Sequence, residues 1–317
     1  MGRILLCAFV CISSLCMAAE KQELIIFHAG SLAVPFREVS EAFNKKYPDV
    51  LVKPEAAGSR DSARKVSDLG RPCDVLGCAD SEVIAELVMP EYADFNISFA
   101  ANELAIAYTS KSRLAKTINS SNWHEILLRD DVNFGRADPN RDPCGYRTMM
   151  AFQLAEKHYK KSGLAGRLAE KGGMRFIRPK ETDLLALLES GEIDYLFIYR
   201  SVIQQHGLKL LRLPDQINLS SPKYASFYNQ AKVSVTGKKP GEMTVLRGAP
   251  IVYSVTIPKN SPNPRMAEAW VGFLLSTEGR QIMEKNGQKG QSPAPTDNYD
   301  KLPAYLKPLC TRNRPRW

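Results

Sequence analysis

The stretch RADPNRDPCGYRTMM, Arg136 to Met150, sets Asp142, Cys144, Arg141 and Arg147 around a turn that leads into a helical pattern. Asp142 offers oxygens to a metal, and Cys144 at a helix start has the placement of a nucleophile. Arg141 and Arg147 carry the planar fork that clamps oxyanions. The same residues also make a plain cap: aspartate accepts free amide protons, proline fixes φ and glycine relieves the backbone. Asp138, ahead of Pro139, fits only the turn-forming role. Two other turns carry related chemistry. FHAGSL puts Gly30 and Ser31, and EAAGSRDSARKV puts Gly58 and Ser59, at the mouths of helices, where free amides and the positive end of the dipole favour an anion. Serine adds a hydroxyl that donates directly. A Gly-Lys-Ser phosphate loop is absent, so nucleotide binding lacks its usual support.

The elements that must position these turns are legible from periodicity. ELIIFHAGSL is an apolar strand broken at Gly30, and the following AVPFREVSEAFNKKYP brings Phe36, Val39 and Phe43 onto one helical face. DVLVKPEAAGSR and CDVLGCAD repeat the strand–turn–helix order, which predicts a parallel α/β sheet with its turns gathered at the carboxyl ends of the strands, the edge where such sheets bind ligands. ISFAANELAIAYTSKS is a long β-like run, and a second α/β series follows it. GAPIVYSVTIPKNS is another long β run, and PRMAEAWVGFLLSTEGRQIMEKNG an amphipathic helix. This order predicts two α/β lobes joined by two crossing strands, with the first lobe discontinuous: 20–105, then 251–317 returning with the carboxyl-terminal helix, around a second lobe at 106–250.

The chain's 317 residues exceed what one core usually fills. Residues 1–19 read as a signal peptide: Arg3, an apolar run from Ile4 to Leu15, then small residues at Ala18 and Ala19. That run is too short for a permanent membrane span, so the mature chain is expected in the periplasm or another extracytoplasmic space. A lipid tether on Cys16 is conceivable, but Leu15 before it suits a lipoprotein signal poorly. Removing Arg3 with the leader takes the net charge from +9 to +8. The basic residues are spread rather than massed, which argues against nucleic acid and leaves a modest field that gathers small anions. Outside the leader stand Cys73, Cys78, Cys144 and Cys310; export permits disulfides, but small buried hydrophobes suit PCDVLGCAD better. The scattered His28, His124, His158 and His206 give no zinc spacing. A cysteine hydrolase using Cys144 would need His28 or His206 as base, and the spacing supports neither.

HAGSL, AAGSRDSARKVSDLG, DPNRDPCGYR, SGEIDYLFIYRSVIQQHGLKLLRLPDQINLSSPKYA and GAPIVYSVTIPKN together resemble the periplasmic molybdate/tungstate-binding proteins of ABC transporters, in the tungstate-binding branch typical of archaea. The likeness runs over nearly the whole mature chain. It implies an α/β, class II periplasmic binding protein fold whose two lobes close on one tetrahedral oxyanion, with no catalysis, no cofactor, delivery to a membrane permease, and action as a monomer. It also implies a site made of Gly30, Ser31, Ser59, Asp142, Pro143, Cys144, Glu181 and Tyr199, in which Asp142 and Glu181 reach the molybdenum or tungsten itself. The segment before Glu181 is shorter than in the archaeal members, so Glu181 is aligned by counting back from ESGEIDY, with Glu189 and Glu192 as alternatives. Carboxylates repel a dianion in a dry cleft. Molybdenum and tungsten accept extra oxygen ligands where sulfur and phosphorus do not, so the pair would select by chemistry. Arg141 and Arg147 are expected behind the ligand or at the surface. Sulfate, phosphate and ferric iron are the other cargoes to weigh, although Tyr199 lacks the neighbouring tyrosine that iron receptors typically show.

Overall fold

The computed structural model describes residues 21–312, so the leader and Cys16 lie outside the described residues. The strand Gln22–Ala29 runs parallel to Val50–Ala57 on one side and to Val75–Cys78 on the other, as three successive strand–turn–helix units require. Beyond these the sheet turns mixed. Val252–Thr256 pairs antiparallel with Val75–Cys78 and with Asn96–Ala101, and Ala294–Asp297 and Lys289–Gly290 add to Asn96–Ala101. The carboxyl-terminal segment therefore returns to the first lobe. Helix Ala33–Lys46 buries Phe36, Val39 and Phe43, and Trp270 closes over it, with rings 4.9 Å from Phe36 and its indole N–H donating to Ser40 Oγ at 3.2 Å.

The second sheet orders Ile177–Arg178, Phe134–Ala137, Tyr195–Tyr199, Leu104–Tyr108 and Lys209–Arg212. Helix Pro143–Tyr159 covers it through Phe152, whose ring sits 5.2 Å from Phe197. The first long apolar run is thus two strands in two different sheets, broken at Asn102–Glu103, and that break is one lobe crossing. The other lies between Arg247 and Val252, after a hairpin of Lys232–Thr236 and Met243–Arg247 that periodicity did not reveal. The amphipathic segment near the carboxyl end is two helices, Pro264–Leu275 and Thr277–Lys285. Ser276 divides them: it adopts an extended backbone and its Oγ accepts from the Gly279 amide at 3.2 Å, so a new cap interrupts an otherwise continuous apolar stripe. No helix among the described residues is long and apolar enough to cross a membrane. Cys73, Cys78, Cys144 and Cys310 are all buried and unpaired.

His28 is the last residue but one of the first strand, packed edge-on to Phe36 at 5.6 Å, with Nδ1 donating to the Ala29 carbonyl at 2.8 Å. Burial lowers its pKa to about 4. A histidine held neutral in the fold stabilises it above the unfolded-state pKa, and that contribution is lost as pH falls through the folded value. Between pH 7 and pH 4.5 the ligand-free protein should lose about 2–3 kcal/mol through this one residue. Urea unfolding of wild type and His28→Asn at both pH values checks it, because the variant should show a pH loss smaller by that amount.

Candidate functional site

Three segments of the second lobe face two turns of the first. In the first lobe Gly30–Leu32 forms a single 3-10 turn directly after the strand, and Ser59 opens helix Ser59–Ser67 after Gly58. In the second, Asp142 caps helix Pro143–Tyr159, Glu181 opens the turn Glu181–Leu184, and Tyr199 ends its strand. The lobes touch here. A Cβ on Gly58 would lie 2.3 Å from the Arg141 carbonyl, and one on Gly30 would lie 2.7 Å from Lys180 Cγ. Glycine at both positions is what lets the turns come this close. The Arg60 amide donates across the gap to the Arg141 carbonyl at 3.1 Å, so the conformation is closed.

Asp142 and Glu181 are 2% and 1% exposed. Asp142 Oδ1 accepts from the Cys144 amide at 2.8 Å and Oδ2 from the Glu181 amide at 3.2 Å, which ties the two segments together. Burial, then the Glu181 carboxylate beside it, pushes the Asp142 carboxyl well above the usual range. Both Glu181 side-chain oxygens are buried without a hydrogen-bond partner, and so is the Tyr199 hydroxyl. Ser31 Oγ is held by Tyr253, whose hydroxyl donates to it at 2.9 Å, and Ser59 Oγ accepts from the Ala79 amide at 3.0 Å. The Pro143–Cys144 turn offers no free amide to a ligand in this conformation, since proline has none and that of Cys144 is taken by Asp142. Cys144 is no nucleophile. Burial and the Asp142 and Glu181 carboxylates push its thiol well up, and its Sγ points to the Phe197 carbonyl at 3.6 Å.

A family model for bacterial extracellular solute-binding proteins matches residues 24–289. The chain belongs to that family. It is 52% identical over 285 residues to an uncharacterized solute-binding protein of Petrotoga mobilis, covering 90% of this chain and 89% of the relative. It is 42% identical over 315 residues to the molybdate/tungstate-binding protein WtpA of Pyrococcus abyssi, covering 90% and 89%. The periplasmic molybdate-binding protein of Azotobacter vinelandii superposes with a TM-score of 0.59 over 84% of this chain and 98% of its own, at 16% identity, which shows the shared two-lobed fold. A solute-binding protein for ABC transport binds a ligand and passes it on without transforming it.

Within this solute-binding fold both arginines are engaged by carboxylates of the first lobe. Arg141 reaches across the cleft to Asp61 at 2.7 Å, half in solvent. Arg147 is buried and donates to Asp80 Oδ2 of the first lobe at 2.6 Å and to the Ala249 carbonyl of the second crossing at 2.7 Å; Tyr146 donates to the same Asp80 oxygen at 2.6 Å. Asp80, Tyr146 and Arg147 also form one wall of a cavity of about 500 Å³ that opens between the lobes, away from Glu181. Sequence reasoning missed Asp80, Tyr253 and Asn102. Asp80 has the form of an ordinary cap before Ser81 and serves as one, accepting from the Glu82 amide at 3.0 Å. Tyr253 and Asn102 sit in the two long apolar runs, where a few polar residues among apolar ones are the available signal.

Proposed function

We propose that this solute-binding protein captures molybdate or tungstate and delivers it to the membrane permease of an ABC transporter. The observation that carries the reading is the Glu181 carboxyl group. It is buried beside Asp142 with both oxygens unpartnered, and the Ser31, Ser59 and Tyr199 hydroxyls would complete the cradle. An anion site for sulfate or phosphate tolerates such a group only with a proton between the two, carried by the carboxylate or by the ligand, because repulsion in a dry cleft is large. A tetrahedral oxyanion whose central metal accepts further oxygens does have a use for it, with Asp142 and Glu181 as the added ligands. Gly30 and Ser31, then Ser59 and Tyr199, would surround the oxo groups, with Pro143 and Cys144 shaping the turn that holds Asp142, and the likeness to the Pyrococcus protein supports the same cargo. Titration calorimetry with tungstate, molybdate, sulfate and phosphate tests this. The metal oxyanions should bind wild type at least about 100-fold more tightly than sulfate or phosphate, and Asp142→Ala should lose them. Sulfate binding as tight as tungstate binding would overturn the reading.

A further inference from the structure

A chain of hydrogen bonds runs from the first lobe crossing into the site, and its direction is fixed at every link. Asn102 Oδ1 accepts the backbone amides of Glu103 at 2.9 Å and Ser201 at 3.4 Å, so its amide nitrogen is the group facing Ser201 Oγ at 2.8 Å and the Tyr253 hydroxyl at 2.9 Å. Tyr253 therefore accepts from Asn102 and spends its own proton on Ser31 Oγ, 2.9 Å away. Ser31 Oγ accepts, and its proton is left to point outward. Asn102, Tyr253 and Ser31 are 7%, 0% and 1% exposed, so water does not compete for any link. Burial also pushes the Tyr253 phenol up, so it remains a donor at working pH. The second serine is set the same way: Ser59 Oγ accepts from a backbone amide, which can only donate. Tyr199 keeps an unpartnered buried hydroxyl.

We propose that Asn102 and Tyr253 are positioning residues that turn the Ser31 hydroxyl proton toward the ligand, so that this serine meets the oxyanion as a donor. This rests on the oxyanion reading above and deepens it. Ser31 and Ser59 then both turn a proton toward the ligand, and a deprotonated oxygen of the anion accepts each. The polarity can be removed or inverted. Tyr253→Phe frees Ser31 to rotate. Asn102→Asp accepts from Tyr253, which then takes the proton of Ser31 and turns a lone pair toward the ligand.

Tungstate affinity is measured by calorimetry for Tyr253→Phe, Asn102→Asp, Ser31→Ala, and each of the first two combined with Ser31→Ala, with the melting temperature of each ligand-free variant recorded. Tyr253→Phe should weaken binding by about 10-fold and Asn102→Asp by more, while either change in the Ser31→Ala background should cost less than about 2-fold. That non-additivity is what a merely structural tyrosine does not give. Equal losses with and without Ser31, or wild-type affinity in Tyr253→Phe, would overturn the relay. Tyr253→Phe decides the matter if Asn102→Asp does not fold. Wild type failing to bind any of the four oxyanions sinks the functional reading and the relay with it; wild type binding tungstate with additive variants sinks the relay alone.

Discussion

Glu181→Gln should abolish measurable tungstate binding and at the same time make the ligand-free protein more stable. The two effects have one cause. A carboxyl group buried against a second carboxyl, with no basic side chain among the hydrogen-bond partners of either, costs the empty fold desolvation and repulsion. Glutamine fills the same volume without the charge, so the ligand-free fold should gain about 1–3 kcal/mol against urea. It also removes one of the two anionic oxygens proposed to reach the metal centre, and a loss of at least about 100-fold in affinity follows if that contact is made. A stability gain joined to a binding loss is the signature of a group kept for its ligand. Unchanged tungstate affinity in Glu181→Gln would remove the carboxylate from the ligand set whatever its effect on stability.

How much of this was legible beforehand depends on how local the signal is. The turn at Gly30–Ser31, the cap at Asp142 and the amphipathic face of Phe36, Val39 and Phe43 are written in neighbouring residues, and the structure has them in place. Ser276 was hidden because the apolar stripe runs straight through it, and only the cap geometry shows the break. The strand Asn96–Ala101 and the strand Leu104–Tyr108 read as one run because each is buried on both faces, which erases the alternation that would have separated them. In the site the missing pieces are the long-range ones. Nothing near Arg147 in the sequence announces that its partner is Asp80, 67 positions away, or that Ser31 is oriented by a tyrosine 222 positions away. Local types nominated Arg147 as an oxyanion clamp or a supporting residue, and only the tertiary partner shows that it joins the lobes.

Arg147→Met should weaken ligand binding by about 100-fold through the closing equilibrium, with no contact to the ligand lost. In the closed conformation Asp80 of the first lobe receives Arg147 and Tyr146 of the second, all three buried. Taking away the arginine leaves a buried carboxylate with only the tyrosine hydroxyl and the Glu82 amide, a loss of about 3 kcal/mol or more that falls on the closed state, because opening the cleft returns Asp80 to water. Apparent affinity scales with the fraction of closed protein, so the penalty passes directly into the dissociation constant. The off-rate for tungstate should rise by most of that factor in stopped-flow chase experiments, and the ligand-free variant should show a larger radius of gyration by X-ray scattering than wild type. Adding Asp80→Asn to Arg147→Met should restore binding to within about 10-fold of wild type, since asparagine still caps its helix through Oδ1 and can donate from Nδ2 to the Tyr146 hydroxyl, while no charge is left orphaned. An Arg147→Met variant with wild-type off-rate and wild-type dimensions would show that this ion pair fastens the lobes without governing their closure.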